Sequence, residues 1–300
     1  MSFTYKMVES TCYCINRLSG NGIKKYMLAG FEKTDEREDI PKAMYRKFKV
    51  QKIEHKEFPV FILCKRNHKK ENKKAILFLA GGGGMSRPMW IHFDTISRLI
   101  QKTDAVVYFA YYPLAPKYNV QKALVWLESV YKAMRMRYLP ANITFMGDSA
   151  GVNLAFSLAY RSKVRPSKII AISPAVGLED GRNRDIRKEM ETIDPILNVA
   201  MNDLIAKNWA KNVPLNSSDI SPEYIDYSNF SEILMFYGTH ELFYPHVKGL
   251  VKKMRRQGVV LETVEKPMCH DWALCSFFSE GQRAINKMRD FICRVEKDRR

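Results

Sequence analysis

Short apolar segments alternate with longer amphipathic segments along most of the chain. From residue 58 onward the apolar runs are rich in β-branched and aromatic residues, as in strands, and the segments between them have a helical period. The predicted helices cover residues 88–101, 118–138, 150–163, 245–257 and 277–297, and the predicted strands read FPVFILC, AILFLA, AVVYFAYY, ITFMG, IIAISP, ILMFYG and VLETVE. This order predicts an α/β fold with a mostly parallel central sheet flanked by helices. Ligands bind such sheets at the carboxyl ends of the strands.

Two stretches lie outside this alternation. Residues 1–45, the N-terminal segment, precede the first clear strand and have a helical pattern that the charged run DEREDIP interrupts. Residues 178–228, the insertion, are polar and helical and separate IIAISP from ILMFYG. We expect both to pack together above the strand ends as a helical cap. Residues 1–300 then form a single domain that carries this cap.

Composition narrows the class of protein. With 46% hydrophobic and 27% charged residues among 300, the chain is typical of a globular protein and not of a disordered one. The six cysteines form no C-x2-C pair, which favours reduced thiols and argues against a metal site. The first thirty residues do not resemble a signal peptide, and the apolar runs are far shorter than the roughly 20 residues of a membrane span. We therefore expect a cytoplasmic protein.

The net charge of +17 allows several partners. Basic clusters such as KRNHKKENKK and VKKMRRQG lie between apolar segments, where loops and exposed helix faces are expected. A solvated basic surface is the favoured interpretation, and weak contact with an anionic membrane surface stays open. Neither cluster is a nucleic-acid motif with interleaved aromatic residues, so we expect no nucleic-acid partner.

The motif GDSAG, residues 147–151, joins a predicted strand to a predicted helix. A serine hydroxyl is a poor nucleophile unless a base and oxyanion donors surround it. A sharp turn here lifts Ser149 clear of the sheet, and the small residues Gly147 and Gly151 relieve the crowding. The turn also places the Ala150 amide at a helix N-terminus, where negative charge is favoured. Ser149 is therefore the candidate nucleophile, and Ala150 is one oxyanion donor.

Four consecutive glycines, residues 81–84, follow the strand AILFLA directly. Glycines allow backbone N–H groups to turn towards a ligand, so Gly82 and Gly83 are the candidates for the other oxyanion donors.

The base must come from six histidines. His270 lies between the last predicted strand and the last helix, where the base comes in this chain order, whereas His92 on the helix after the glycines could be structural. Glu241 follows the strand ILMFYG and is the candidate acid. Asp271 and Asp226 compete with it, but Asp271 is adjacent to His270 in sequence, and Asp226 precedes the strand.

These motifs resemble the hormone-sensitive-lipase-like branch of the α/β-hydrolase esterases. Across about residues 75–295 the matching segments follow in order: AGGG, HFDTISRLI, YPLAP, GDSAGVNL, DPIL, GTHEL and CHDWAL. The resemblance implies an α/β-hydrolase fold with a helical cap, the triad Ser149, Glu241 and His270, and an oxyanion hole of the Gly82, Gly83 and Ala150 amides. The chain departs from the family where Ala80 replaces the motif histidine and Pro113 replaces the arginine of Y-R-L-A-P.

Together these features predict a serine carboxylesterase that hydrolyses short to medium acyl or aryl esters through an acyl-enzyme. We expect no cofactor and no metal, and a small-molecule ester as the substrate. Two enzyme alternatives remain open, an amidase and a lipase that acts at membrane surfaces. A catalytically silent binding protein with a hydrolase fold is the third alternative, motivated by Ala80 and the variant acid.

Overall fold

The computed structural model of the chain describes residues 1–32, 37–69, 71–178 and 182–294. Its strands form one sheet of eight: β1 (Lys49–His55), β2 (Phe58–Cys64), β3 (Ala75–Leu79), β4 (Val106–Ala110), β5 (Ile143–Asp148), β6 (Lys168–Ile172), β7 (Glu232–Gly238) and β8 (Val260–Lys266). The spatial order is β1-β2-β4-β3-β5-β6-β7-β8. Strand β2 is antiparallel to both of its neighbours, and all other neighbouring pairs are parallel. The predicted α/β fold with a mostly parallel sheet is confirmed.

The described helices are α1 (Phe3–Leu18), α2 (Gly22–Glu32), α3 (Lys42–Lys47), α4 (Trp90–Thr103), α5 (Val120–Arg135), α6 (Ala150–Arg161), α7 (Arg182–Glu191), α8 (Val199–Ile205), α9 (Tyr244–Arg256) and α10 (Ser279–Cys293). Each of the five helices predicted after residue 58 is present, within a few residues of the expected ends. Residues 295–297 of the last predicted helix lie outside the described residues. Among those described, no helix combines the length and the apolar character needed to cross a bilayer.

Two hydrophobic cores cover the two faces of the sheet. Successive strand side chains point to opposite faces, so Leu77 and Leu79 of β3 lie in one core while Ile76 and Phe78 lie in the other. Helices α5, α6 and α9 contribute to the first core, and α4 and α10 contribute to the second. Burial on both faces explains why the inner strands are continuous apolar runs in the sequence.

The first strand escaped prediction because it is polar. Strand β1 has the sequence KVQKIEH, and none of its residues is buried. Among the described strands it pairs with β2 alone, through a two-residue turn in which Lys56 has a φ of 58°. An edge strand with neither face buried carries no hydrophobic signal.

The N-terminal segment and the insertion contact each other. The former contributes α1 and α2, and the latter contributes α7, α8 and a π-helical turn at Ala206–Ala210. The Asn16 side chain of α1 donates to the Pro195 carbonyl at 2.9 Å, and Lys24 Nζ of α2 donates to the Glu191 carbonyl at 2.6 Å. Residues 33–36 and 179–181 of these two stretches lie outside the described residues. That the two stretches form a cap above the strand ends stays a prediction. Within the described residues, these hydrogen bonds show that the two stretches contact each other.

Candidate active site

Ser149 occupies a sharp turn between β5 and α6. Its φ of 49° and ψ of −123° lie in a region that non-glycine residues rarely adopt, and its N–H donates to the Ile172 carbonyl of β6 at 2.9 Å. A Cβ on Gly151 would lie 2.0 Å from the Leu79 carbonyl oxygen, and one on Gly147 would lie 2.6 Å from the Gly151 backbone. The two glycines therefore let α6 begin directly against the end of β3.

This close approach brings the glycine loop, residues 80–84, next to Ser149. Gly82, Gly83 and Gly84 have φ values of 106°, 64° and 70°, which only glycine adopts readily. The Gly81 N–H donates to Asp148 Oδ2 at 3.0 Å, which ties the loop to the residue before Ser149. In the described part of the chain, the Gly82 and Gly83 amides make no hydrogen bond to a protein group.

His92 also holds Asp148, although the sequence indicated no specific role for it beyond structure. Its Nε2 lies 3.0 Å from Asp148 Oδ2, and its Nδ1 accepts a hydrogen bond from the Met89 N–H at 2.8 Å. The Met89 contact leaves Nε2 as the nitrogen that donates to the buried carboxylate. Ala80 stands at the motif-histidine position, and His92 from α4 supports the same loop through Asp148.

Glu241 and His270 form a buried acid–base pair. Glu241 follows β7 and His270 follows β8, so both lie at the carboxyl ends of parallel strands, as does Ser149. Glu241 Oε2 is 3.3 Å from His270 Nδ1. A proton on Nδ1 that donates to this carboxylate leaves Nε2 as the basic nitrogen. Nε2 has no hydrogen-bond partner among the described residues.

Ser173 anchors the acid, and the sequence reasoning missed it. Its Oγ donates to Glu241 Oε1 at 2.6 Å and accepts from the Asp271 N–H at 3.0 Å. The Gly238 N–H also donates to Glu241 Oε1, at 2.5 Å. Ser173 directly follows β6 in the chain, so its place at a strand end was a signal that could have identified it.

Asp194 joins the insertion to the loop that carries the acid. Its Oδ2 accepts from the Leu242 N–H at 2.7 Å, and its Oδ1 accepts from the N–H groups of Ile196 and Leu197 at 2.8 Å. The side chain is fully buried. Asp194 is the first residue of the DPIL motif. This motif therefore connects the insertion to Leu242, the residue that follows Glu241, by a hydrogen bond.

Asp271 lies on the other side of the imidazole from Glu241. Its Oδ2 is 3.4 Å from His270 Nε2, and its φ of 59° turns the chain sharply after His270. Burial lowers the pKa of His270, but the charges of Asp271 and Glu241 more than offset burial and raise this pKa to about 10. Burial raises the pKa of the Asp271 carboxyl, and the positive charge of protonated His270 opposes this rise and favours the carboxylate. His270 therefore keeps a proton to higher pH than a free histidine does.

One cavity of about 360 Å³ joins these groups. Ser149, His270, Gly82, Gly83 and Ala150 all line it, and Glu241 lies behind His270. The remaining walls are largely apolar and come from both the N-terminal segment and the insertion, including Ile23, Met27, Met201, Ile205 and Trp209. In the described ranges, no three His, Cys, Asp or Glu side chains are grouped so that they could hold a metal ion.

Known proteins share the sequence pattern and the fold. The family model of the alpha/beta hydrolase fold matches residues 76–274. The carboxylesterase/phospholipase LipF of Mycobacterium tuberculosis is 33% identical over 116 residues, which is 37% of this chain and 31% of LipF. An esterase of Acinetobacter venetianus is 23% identical over 231 residues, 74% of this chain and 76% of that protein.

The fold comparison covers almost the whole chain. The crystal structure of an esterase candidate from Staphylococcus aureus superposes with a TM-score of 0.79 at 22% identity, over 91% of this chain and 92% of that one. The match to LipF spans about a third of that protein's length. Because the family model covers more than half of this chain, and the fold and the ordered motifs agree with it, the chain belongs to the alpha/beta hydrolase fold family.

Proposed function

We propose that the protein is a serine carboxylesterase that hydrolyses short to medium acyl or aryl esters through an acyl-enzyme. One observation carries the proposal. Ser149, His270, Gly82 and Gly83 line one cavity, and Glu241 Oε2 lies 3.3 Å from His270 Nδ1, which leaves Nε2 without a hydrogen bond among the described residues. A nucleophile, a base and oxyanion donors in one cavity are what acyl transfer requires.

The first half of the reaction forms the acyl-enzyme. His270 Nε2 takes the proton of Ser149 Oγ as the oxygen attacks the ester carbonyl carbon. The negative charge on the carbonyl oxygen is stabilised by the N–H groups of Gly82, Gly83 and Ala150. Glu241 keeps the Nδ1 proton in place and stabilises the imidazolium. His270 then donates its proton to the leaving alcohol oxygen, and the carbon–oxygen bond of the ester breaks.

The second half repeats the same roles with water. His270 Nε2 takes a proton from a water molecule, and the resulting hydroxide attacks the acyl carbon. The same amides hold the oxyanion, and the returned proton restores the Ser149 hydroxyl as the carboxylic acid leaves.

The cavity also suggests the size of the substrate. Pockets for small ligands range over about 300–1,000 Å³, and the volume of about 360 Å³ here is near the lower end. The walls are largely apolar, so a short or medium acyl chain or an aromatic ring is favoured over a polar acyl group. A cytoplasmic location is part of the proposal, and the six unpaired cysteines support it because disulfides are rare in reducing compartments.

Hydrolysis of p-nitrophenyl esters from acetate to palmitate tests the proposal. Wild type, Ser149→Ala and the matched variant Ser228→Ala are assayed together, since Ser228 lies at the surface in contact with Asp226. We expect turnover that is highest for short chains, retained in Ser228→Ala and lost in Ser149→Ala without a change in melting temperature. Equal turnover in wild type and Ser149→Ala would contradict the mechanism, and no hydrolysis of any ester by wild type would favour an amidase or a silent binding protein.

A further inference from the structure

Helix α1 exposes the apolar side chains that an amphipathic helix normally buries. Its buried residues are Tyr5 and Asn16. At 3.6 residues per turn, positions 3, 7, 14 and 18 fall on the opposite side, with 8 and 15 beside them. The large apolar residues at these positions are exposed, up to 88% of the residue surface for the last of them: Phe3, Met7, Val8, Ile15 and Leu18. We call these five residues the α1 stripe.

No acidic residue of helix α1 lies beside the α1 stripe. Glu9, the one acidic residue of α1, faces the protein, where its carboxylate accepts a hydrogen bond from the Tyr5 hydroxyl at 2.7 Å and lies 2.7 Å from His240 Nδ1. Lys6 and Arg17 are exposed along one border of the stripe. The outer surface of α1 therefore carries the five large apolar side chains of the stripe, with the exposed Thr4 and Thr11 among them, and has a basic border.

Exposed aromatic rings also lie on other elements near α1. Trp90, at the start of α4, is 64% exposed and stacks on Phe277 with ring centroids 5.8 Å apart. Phe277 contacts Phe278, whose ring packs against Tyr5 on the buried side of α1, with ring centroids 5.2 Å apart. On α2, Tyr26 is also exposed. Amphipathic aromatic rings of this kind favour the boundary between lipid and water.

The inner side of the same segment lines the active-site cavity. Cys12 of α1 and Ile23 and Met27 of α2 are among the cavity walls. Helices α1 and α2 therefore separate the exposed apolar surface from the space next to Ser149. A molecule that reaches the stripe from a lipid phase is one helix layer away from the cavity.

We propose that the α1 stripe is a docking surface for an anionic phospholipid bilayer, on which α1 lies parallel to the membrane plane. A helix with an apolar face, a basic border and no exposed acid is suited to insert shallowly at the headgroup level of anionic lipids. The net charge of +17 attracts the whole chain to such a surface. Docking does not depend on the proposed esterase activity, so the two can fail separately.

The charges favour a bilayer over a second copy of the chain as the partner. Two copies joined through their α1 stripes would bring the basic borders of both together, and each chain carries a net charge of +17. An anionic bilayer instead neutralises these charges while it covers the apolar side chains.

Vesicle binding tests the proposal with two matched pairs of variants. Phe3→Gln with Leu18→Gln removes apolar residues that are 77% and 88% exposed, and Met136→Gln with Leu139→Gln removes residues that are 82% and 70% exposed beyond the end of α5. For the charges, Lys6→Gln with Arg17→Gln is matched by Lys132→Gln with Arg135→Gln on α5. The full chain is sedimented with vesicles of phosphatidylcholine alone or with roughly one-third phosphatidylglycerol, at low and high salt.

We expect binding only to the anionic vesicles, weaker at high salt, and reduced roughly tenfold or more in Phe3→Gln with Leu18→Gln. The α5 variants should bind like wild type, and all variants should keep the melting temperature and the turnover of a soluble ester. The proposal would be overturned if an α1 variant and its matched α5 variant lost vesicle binding equally. It would also be overturned if the α1 variants kept wild-type binding. A wild-type dimer in analytical ultracentrifugation that the α1 variants abolish would also overturn it, in favour of a second copy.

Discussion

The two sides of the active site are held together in different ways. On the serine side, residues 79–84 and 147–151 are held in close backbone contact. Glycines permit this contact, because a side chain at Gly147 or Gly151 would overlap the neighbouring backbone. On the histidine side, Ser173, Asp194 and Glu241 are positioned by buried hydrogen bonds of their side chains, with a distant side chain or with backbone N–H groups. The serine side is therefore sensitive to added atoms, and the histidine side is sensitive to lost charges and hydrogen bonds.

The largest effect on the histidine side is expected for Glu241→Gln. The amide cannot stabilise the imidazolium as a carboxylate does, and its NH2 group can face the Nδ1 proton or the Ser173 hydroxyl unfavourably. We expect kcat for p-nitrophenyl acetate to fall roughly a thousandfold or more. Asp226→Asn is the matched control, because Asp226 is exposed and its carboxylate accepts hydrogen bonds from Ser228 and from Gln257 at the end of α9. Near-wild-type turnover in Glu241→Gln, or a similar loss in Asp226→Asn, would show that the acid is misassigned.

The serine side should respond most to Gly151→Ala. The new Cβ would lie 2.0 Å from the Leu79 carbonyl oxygen, so β3 and α6 must move apart. We expect a loss of about 3 kcal/mol in the free energy of unfolding, measured by urea denaturation, together with loss of turnover. Gly249→Ala is the control, since a Cβ at this position of α9 meets nothing within 4 Å, and it should stabilise by about 0.5–1 kcal/mol. Equal unfolding energies for the two variants would refute the packing argument.

A smaller effect is expected for Ser173→Ala. This variant removes the hydroxyl that donates to Glu241 Oε1 but leaves the Gly238 N–H in place. We expect kcat to fall about tenfold to a hundredfold with KM nearly unchanged, because a charged hydrogen bond is worth about 1.5–3 kcal/mol. A rise in KM at constant kcat would instead assign Ser173 to substrate binding, and Ser228→Ala serves as the surface control.

The smallest effect on the maximal rate, and the clearest on pH dependence, is expected for Asp271→Asn. The negative charge of Asp271 helps to raise the pKa of His270 to about 10, above the ordinary value of 6.5. His270 acts as a base only when neutral, so kcat/KM should rise with pH through this pKa. Removing the charge lowers the pKa and should move the acid limb of the profile to lower pH by about one unit. A limb that stays in place, or that moves equally in Asp226→Asn, would contradict the role of Asp271.

The same contrast explains what the sequence could predict. The glycines around Ser149 and the apolar strands leave strong local patterns, so the sheet, the flanking helices and the serine turn were predictable. Ser173, Asp194 and His92 contact partners 48 to 68 positions away in the chain. The strand-end position of Ser173 and the DPIL motif of Asp194 mark these residues in the sequence, but neither identifies the partner.

Which face of the N-terminal helix α1 is exposed could not be predicted from the sequence pattern either. Helix α10 buries its apolar side chains, such as Met288 and Phe291, whereas α1 exposes Phe3 and Leu18. Periodicity predicts that each segment is an amphipathic helix, but it does not tell which face meets the protein. Strand β1 has too little apolar character to be detected at all.

Reaction with a fluorophosphonate tests the central claim most directly, because this reagent labels only an activated serine. Intact mass and peptide mapping are compared for wild type, Ser149→Ala and His270→Gln. We predict one adduct per wild-type chain, located on Ser149, no adduct in Ser149→Ala and strongly slowed labelling in His270→Gln. Labelling of another residue, or equal labelling rates with and without His270, would contradict the assignment of Ser149 as the activated nucleophile.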